Sequence, residues 1–246
     1  MANKQIEMGK QTVIAIARTV DAKDQRTSDH SKRVAIYSAQ IARAYGLDEK
    51  QCRDIEWSAQ MHDIGKIGIP DAILNKPARL TDDEYSTMKS HTTRGAEILK
   101  DFTLLDNVID GAQYHHERYD GRGYPRGLKG EEIPLFARII GVADAFDAMT
   151  ANRIYRQQMD FSYVLGEMQR CRGTQFDPKF VDILLKLIND GTINLNKIYH
   201  VSKEESDQAE REAAIAREEK ERQRGDALVT PGSFAEIKTS EQGGKA

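Results

Sequence analysis

At 246 residues the chain is long enough for one large domain or two small ones, and with 39% apolar residues it can bury a sizeable core. Its 36 basic and 39 acidic residues leave a net charge of −3, which argues against a nucleic-acid polymer as partner, since phosphates call for an electropositive face. No apolar run approaches the roughly 18–20 residues that cross a bilayer, the N-terminus MANKQIEMGK lacks the apolar stretch of a secretory signal, and Cys52 and Cys171 make neither a CxxC nor a disulfide framework. These features predict a cytoplasmic protein with no membrane partner.

Nearly every segment reads as helix. Residues 6–20 form a helix with Ile6, Val13, Ile16 and Val20 as inner residues. Thr27 and Ser28 offer N-caps for a second helix that ends at Gly46, with Val34, Tyr37, Ile41 and Tyr45 at helical spacing. In the third, Cys52, Ile55, Ala59 and His62 share one stripe, from which Asp63 points away. Gly65 to Leu80 reads as a loop, and Thr81 with Glu84 makes a capping box for the next helix. A helix over about 104–117 is followed by the densest turn sequence in the chain, DGRGYPRGLKG from Asp120 to Gly130. Pro134 starts a helix whose inner face includes Ile139, Val142, Phe146 and Met149, and Asp160 caps another. Asp177-Pro178 supplies an N-cap and an N1 proline for a last helix bearing Phe180, Leu184, Leu187 and Ile188, closed by Gly191. The predicted fold class is all-α: a compact multi-helix bundle over 1–200, a charged, solvated helical extension over 201–224 and a disordered tail over 225–246.

Five of the six histidines, His30, His62, His91, His115 and His116, lie beside motif-like residues of the compact part. Taken alone, His62-Asp63 is more often a satisfied core pair than a ligand pair. His115 and His116 change that weighing, because consecutive residues diverge by about 100° on a helix but can converge on one ion at a helix end. Asp144 stands in an otherwise apolar helix, where an unpaired carboxylate is costly. Metal coordination would satisfy it, as would a buried ion pair with Arg138 or Arg153. Mixed imidazole and carboxylate donors suit Fe, Mn, Co, Ni or Zn, whereas Mg and Ca prefer oxygen. Seven such ligands are too many for one ion, and two ions sharing a carboxylate is the simplest arrangement. A bridged pair acidifies a bound water and clamps a phosphoryl group, so the implied chemistry is hydrolysis of a phosphate ester.

Five stretches are similar to the HD-GYP family, a branch of the HD-domain metal-dependent phosphohydrolases: HSKRV at His30–Val34, HDIGKIGIPDAILNKP at His62–Pro77, HTTRGAEIL at His91–Leu99, HHERYDGRGYP at His115–Pro125 and DAFDAMTANRIYR at Asp144–Arg156. The resemblance covers about residues 20–190. It implies an all-helical hydrolase that opens cyclic di-GMP to linear pGpG and, in some members, continues to GMP. It also implies one metal site of His30, His62, Asp63 and Asp144, a second of His91, His115 and His116 with Asp63 bridging, and Lys66 on the scissile phosphate. By the same resemblance Tyr124 meets the ligand, Asp147 and Ala148 line the guanine site, and Arg153 and Arg156 hold a guanine or the second phosphate. Two divalent ions are expected, iron or manganese first. Arg26 stands where some members carry a third-metal Glu, and a guanidinium offers a cation no lone pair, so a third ion would need a bound water or another carboxylate such as Asp29 or Asp24. The alternatives are a cyclic dinucleotide receptor with little turnover, or a hydrolase of another cyclic dinucleotide such as cyclic GMP-AMP. Further expected partners are a protein regulator or a fused sensor domain, since members are commonly joined to one, and a second copy in a homodimer.

Overall fold

The structure, a computed structural model, describes residues 2–24, 29–102, 107–154 and 161–198. They lie within one compact unit, Met1–Lys203, while the predicted extension over 201–224 and tail over 225–246 lie outside the described residues. The helices run α1 (Ala2–Lys23), α2 (His30–Tyr45), α3 (Glu49–Gln60), α4 (Asp71–Leu74), α5 (Asp82–Lys89), α6 (His91–Leu99), α7 (Val108–Tyr114), α8 (Leu135–Ile154), α9 (Phe161–Arg170) and α10 (Pro178–Asn189), with short 3-10 turns at Ile64–Gly68 and Gly130–Glu132. Among the described residues there is no strand, only a single bridge between Arg172 and Phe176. None of the described helices is long and apolar enough to cross a membrane.

Local chemistry sets most boundaries. Asp48 and Gln51 close a capping box on α3, and Thr81 and Glu84 close the expected one on α5. Asp177 accepts from the Lys179 backbone N–H, with Pro178 filling the first helical position of α10. Gly46 ends α2 at φ 102°, a conformation that favours glycine.

Two apolar cores form among the described residues. The larger joins Val34, Tyr37 and Ile41 of α2, Cys52, Ile55 and Ala59 of α3, Ile139, Val142 and Phe146 of α8, and Phe180 and Leu184 of α10. Tyr37 packs edge-on to Phe146 at 5.2 Å between ring centroids, which pins α2 to α8. The smaller core gathers Ala17, Met61, Ile64, Leu99, Val108 and Ala112. His62 and Asp63, flanked by Met61 and Ile64 of this smaller core, are buried.

Several expectations are corrected. Ile16 is exposed, and the inner residues of α1 are Ala17 and Val20, because the buried stripe runs through 17, 20 and 24, one position off Ile16. The side chains of Ile6 and Val13 lie outside the described residues. Tyr45 is 42% exposed although its ring meets Phe180 edge-on at 5.2 Å. The stretch read as a loop from Gly65 contains most of a 3-10 turn and all of α4, whose first carbonyl acceptor, Pro70, takes hydrogen bonds from Ile73 and Leu74. α3 stops at Gln60, so His62 and Asp63 occupy the following turn and Asp63 points towards His62. The helix expected over 104–117 is α7, ending at Tyr114. Thr27, Ser28 and Asp160, proposed as caps, lie outside the described residues; Asp29 precedes α2 with φ 58°.

Gly65 holds the histidine-aspartate turn against α6. A Cβ there would come within 1.9 Å of the His91 carbonyl oxygen and 2.5 Å of the Gly95 nitrogen, both backbone atoms that cannot swing aside. Gly65→Ala is expected to lower stability by about 3 kcal/mol, measured by urea denaturation; an unchanged midpoint would show that the two segments separate freely.

Candidate metal centre

The histidines sit at helix ends. His30 opens α2, His62 and Asp63 follow α3, His91 opens α6, His115 and His116 follow α7, and Asp144 comes from the middle of α8. Three rings are held alike. The Nδ1–H of His62 donates to the Ala59 carbonyl at 2.7 Å, that of His91 to Met88 at 2.7 Å and that of His115 to Gly111 at 2.9 Å. Each bond commits Nδ1 as donor and leaves the Nε2 lone pair facing inward. His30 is held differently, by carboxylates at both ring nitrogens, its Nδ1 lying 2.8 Å from Asp147 Oδ2 and its Nε2 3.1 Å from Asp144 Oδ1.

The inward atoms form two groups, His30, His62 and Asp144 in one and Asp63, His91, His115 and His116 in the other, with donor atoms in each group within 4.8 Å of one another. Asp144 Oδ1 is 3.1 Å from His30 Nε2 and 3.9 Å from His62 Nε2. Asp63 faces both groups: Oδ2 is 3.3 Å from His62 Nε2, while Oδ1 is 3.4 Å from His91 Nε2 and 3.8 Å from His115 Nε2. His62 Nε2 and Asp63 Oδ1 are buried with no hydrogen-bond partner. Such orphaned atoms are costly unless something coordinates them. Imidazole and carboxylate donors bind divalent ions at about 2.0–2.2 Å, so neighbours around one ion stand at about the separations seen here. The donor set fits divalent metal.

Electrostatics divides the same donors, and the carboxylates beside His30 and His62 outweigh burial and raise the pKa of both imidazoles. Burial holds His91 below the usual histidine range and pushes His116 down to about 4 against the opposing charges of Asp63 and Asp144, and burial reinforced by the His116 imidazole holds His115 well below it, so all three are neutral at pH 7. Burial opposes charge on His30 too, but hydrogen bonds to Asp144 and Asp147 outweigh it and raise its pKa to about 10. Burial likewise works against the carboxylates; for Asp63 it is outweighed by Lys66 and His62, and for Asp144 by His30, so both lie well below the ordinary range. Lys66 Nζ spans Asp63 Oδ2 at 2.7 Å and Asp24 Oδ2 at 3.0 Å, and these carboxylates overcome burial to keep it charged.

The other expected residues are placed as follows. Tyr124 stands beside the site with its ring 4.9 Å from that of His116, and Ala148 is exposed on α8. Asp147, expected to line a guanine site, has a side chain with no exposed surface. Its oxygens accept from Arg33 Nε at 2.7 Å and Nη2 at 2.9 Å as well as meeting His30. Residues 144 and 147 share one face of α8, so Asp144 meets His30 at Nε2 and Asp147 meets it at Nδ1. Arg138, the alternative partner for Asp144, donates instead to Asp177 at 2.8 Å. The side chain of Arg153, and all of Arg156 and Arg26, lie outside the described residues.

Two acidic residues were not singled out from sequence. Glu117 accepts backbone N–H bonds from Arg126 at 2.7 Å, Gly127 at 3.1 Å and Leu128 at 3.1 Å, and so shapes the loop that carries Tyr124. Its position directly after His116 was the available signal. Asp21 of α1 accepts from Ser31 Oγ at 2.8 Å beside His30, and burial raises its pKa.

Comparison with known proteins agrees with this geometry. The chain is 42% identical over 188 residues to the cyclic di-GMP phosphodiesterase response regulator RpfG of Xanthomonas campestris pv. campestris, covering 75% of this chain and 49% of that protein. It is 38% identical over 182 residues to 3'3'-cGAMP-specific phosphodiesterase 2 of Vibrio cholerae, covering 73% of this chain and 35% of that one. It thus spans about half or less of the length of these relatives. The crystal structure of the V. cholerae cyclic GMP-AMP-specific phosphodiesterase V-cGAP3 superposes with a TM-score of 0.59 at 21% identity, over 78% of this chain and 52% of that one, which supports the all-α fold. The model of the HD domain family matches residues 15–180, and with the histidine and aspartate motifs in place the chain belongs to the HD domain family, on its HD-GYP branch.

Proposed function

We propose that the chain is a metal-dependent phosphodiesterase that opens cyclic di-GMP to pGpG. The observation that carries this reading is Asp63, whose two oxygens face separate imidazole groups. In it His30, His62 and Asp144 hold one divalent ion, His91, His115 and His116 hold a second, and Asp63 is shared; iron or manganese suits these donors, and cobalt, nickel or zinc is compatible. Ions bound there supply Lewis acidity, acidifying a water nucleophile and neutralising phosphoryl charge. The chain's own contribution is positioning. Backbone carbonyls and Asp147 fix the imidazoles, Lys66 offers a cation to the phosphoryl oxygens as charge builds on them, and Tyr124 walls the site next to His116. Arg153 and Arg156 are assigned to a guanine or the second phosphate by their place in the motif. Residues 1–200 are assigned as the catalytic unit, the charged segment after them as a connector, and a protein regulator or a second copy as partner.

Incubating the purified chain with manganese or iron and cyclic di-GMP, and separating the products by chromatography, tests the reading directly. The similarity to a cGAMP-specific relative makes 3'3'-cGAMP the necessary parallel substrate. Turnover of that substrate alone would move the assignment to cyclic GMP-AMP; tight binding of cyclic di-GMP without product would make the chain a receptor.

Asp147 is a second test of the metal assignment. Asp147→Asn keeps the shape but loses the charge that orients His30, and is expected to weaken metal binding about 10–100-fold, read by competition with a chromophoric chelator. Unchanged affinity would show that His30 needs no such partner.

A further inference from the structure

Beyond the metal ligands, Tyr85 and Lys89 of α5 reach the same site. Tyr85 and Lys89 lie one turn apart on α5. Tyr85 is 48% exposed, and its ring stands edge-on to Tyr124 at 6.5 Å and 81°. The Lys89 ammonium lies 5.1 Å from the centre of the Tyr85 ring and 6.0 Å from that of Tyr124. Since Tyr124 in turn lies against His116, these groups continue outward from the candidate metal centre as one surface of aromatic faces and a cation.

Lys89 also differs from its neighbours. Lys23 pairs with Asp71, Lys66 with Asp63 and Asp24, and Lys76 with Glu84. Lys89 Nζ makes no hydrogen bond or ion pair among the described residues and meets only the two tyrosine rings. A cation over aromatic faces is a modest attraction at an exposed site, and it leaves the ammonium's donors free for a ligand. Tyr85 offers a face on which a base can stack. Guanine presents O6 and N7 as adjacent acceptors, a pattern that lysine reads, whereas adenine replaces O6 with a donating amino group.

We propose that Tyr85 and Lys89, with Tyr124, form a purine subsite that selects guanine over adenine. The proposal rests on the phosphodiesterase reading and deepens it by naming what recognises a base. A Lys89 contact to phosphate, by contrast, would be indifferent to the base.

The test compares the full chain with Lys89→Met, Lys89→Arg, Tyr85→Ala and Tyr85→Phe, measuring kcat and KM for cyclic di-GMP, equilibrium binding of cyclic di-GMP and cyclic di-AMP, and metal content. Lys89→Met is expected to raise KM and Kd for cyclic di-GMP roughly tenfold or more through loss of a charge-assisted hydrogen bond. It should leave cyclic di-AMP affinity, kcat and metal content near wild type, and Lys89→Arg should restore most of the loss. Tyr85→Ala should weaken both nucleotides roughly five-fold or more, and Tyr85→Phe should not. Equal losses for both nucleotides in Lys89→Met, or no loss, would overturn the guanine assignment while leaving hydrolysis by the wild type intact. A wild type that neither binds nor hydrolyses any cyclic dinucleotide would instead remove the phosphodiesterase reading, and the subsite with it.

Discussion

Asp63→Ala is expected to yield a folded protein that retains almost no divalent metal and hydrolyses cyclic di-GMP more than about a thousandfold more slowly, a loss of at least ~4 kcal/mol of transition-state stabilisation. The reason lies in how one carboxylate is shared. Oδ2 faces His62 and Lys66, and Oδ1 faces His91 and His115, so its removal takes a donor from both groups at once. The remaining imidazoles, which bring no negative charge, would then confront two cations with a single carboxylate, Asp144. Folding should survive, because Lys66 keeps Asp24 as a partner and the cost of burying one carboxylate disappears with it. Elemental analysis, circular dichroism and a turnover assay on the same preparation separate these effects. Full metal content with normal turnover would show that the two groups do not depend on Asp63.

Most of this arrangement was legible in the sequence, though unevenly. The capping box at Thr81, the Asp177-Pro178 start of α10 and the glycine stop at Gly46 are local devices, and each holds in the structure because its partner lies within a few residues. The candidate metal ligands were legible as residue types in motifs, and the structure brings all seven into two adjacent groups. What short spacing could not reveal was direction. Asp144 and Asp147 are one helical turn apart on the same face, and both point at His30, so only the fold decides which oxygen meets which ring nitrogen. Arg33, three residues after His30, resolves the matter by neutralising Asp147 from behind. Glu117 escaped notice for a related reason: its partners are backbone N–H groups of Arg126, Gly127 and Leu128, which carry no mark in the side-chain sequence. The helix α4 was hidden by its composition, since Pro70, Asn75 and Pro77 read as turn residues, while the buried Leu74 anchors one helical turn between them.

Lys66→Ala is expected to act on the chemical step and to spare the metal. In the structure the ammonium is held between two carboxylates, 2.7 Å from Asp63 and 3.0 Å from Asp24, so it is a fixed charge at the edge of the donor cluster. Phosphoryl transfer places growing charge on the non-bridging oxygens, and a preorganised cation stabilises that charge more than it stabilises the bound substrate. Loss of one such donor typically lowers kcat by roughly 100–1,000-fold, and KM should change far less. Lys66→Arg should recover part of the rate if charge is what matters, with the remainder lost because the guanidinium is planar and larger. Metal content should stay near wild type, because the lysine itself contributes no ligand; removing its charge leaves Asp63 at least as good a donor. The discriminating measurement is the kcat and KM pair for cyclic di-GMP at saturating manganese. A variant altered only in KM would assign Lys66 to ground-state binding, and one that loses metal together with activity would make it a support for Asp63.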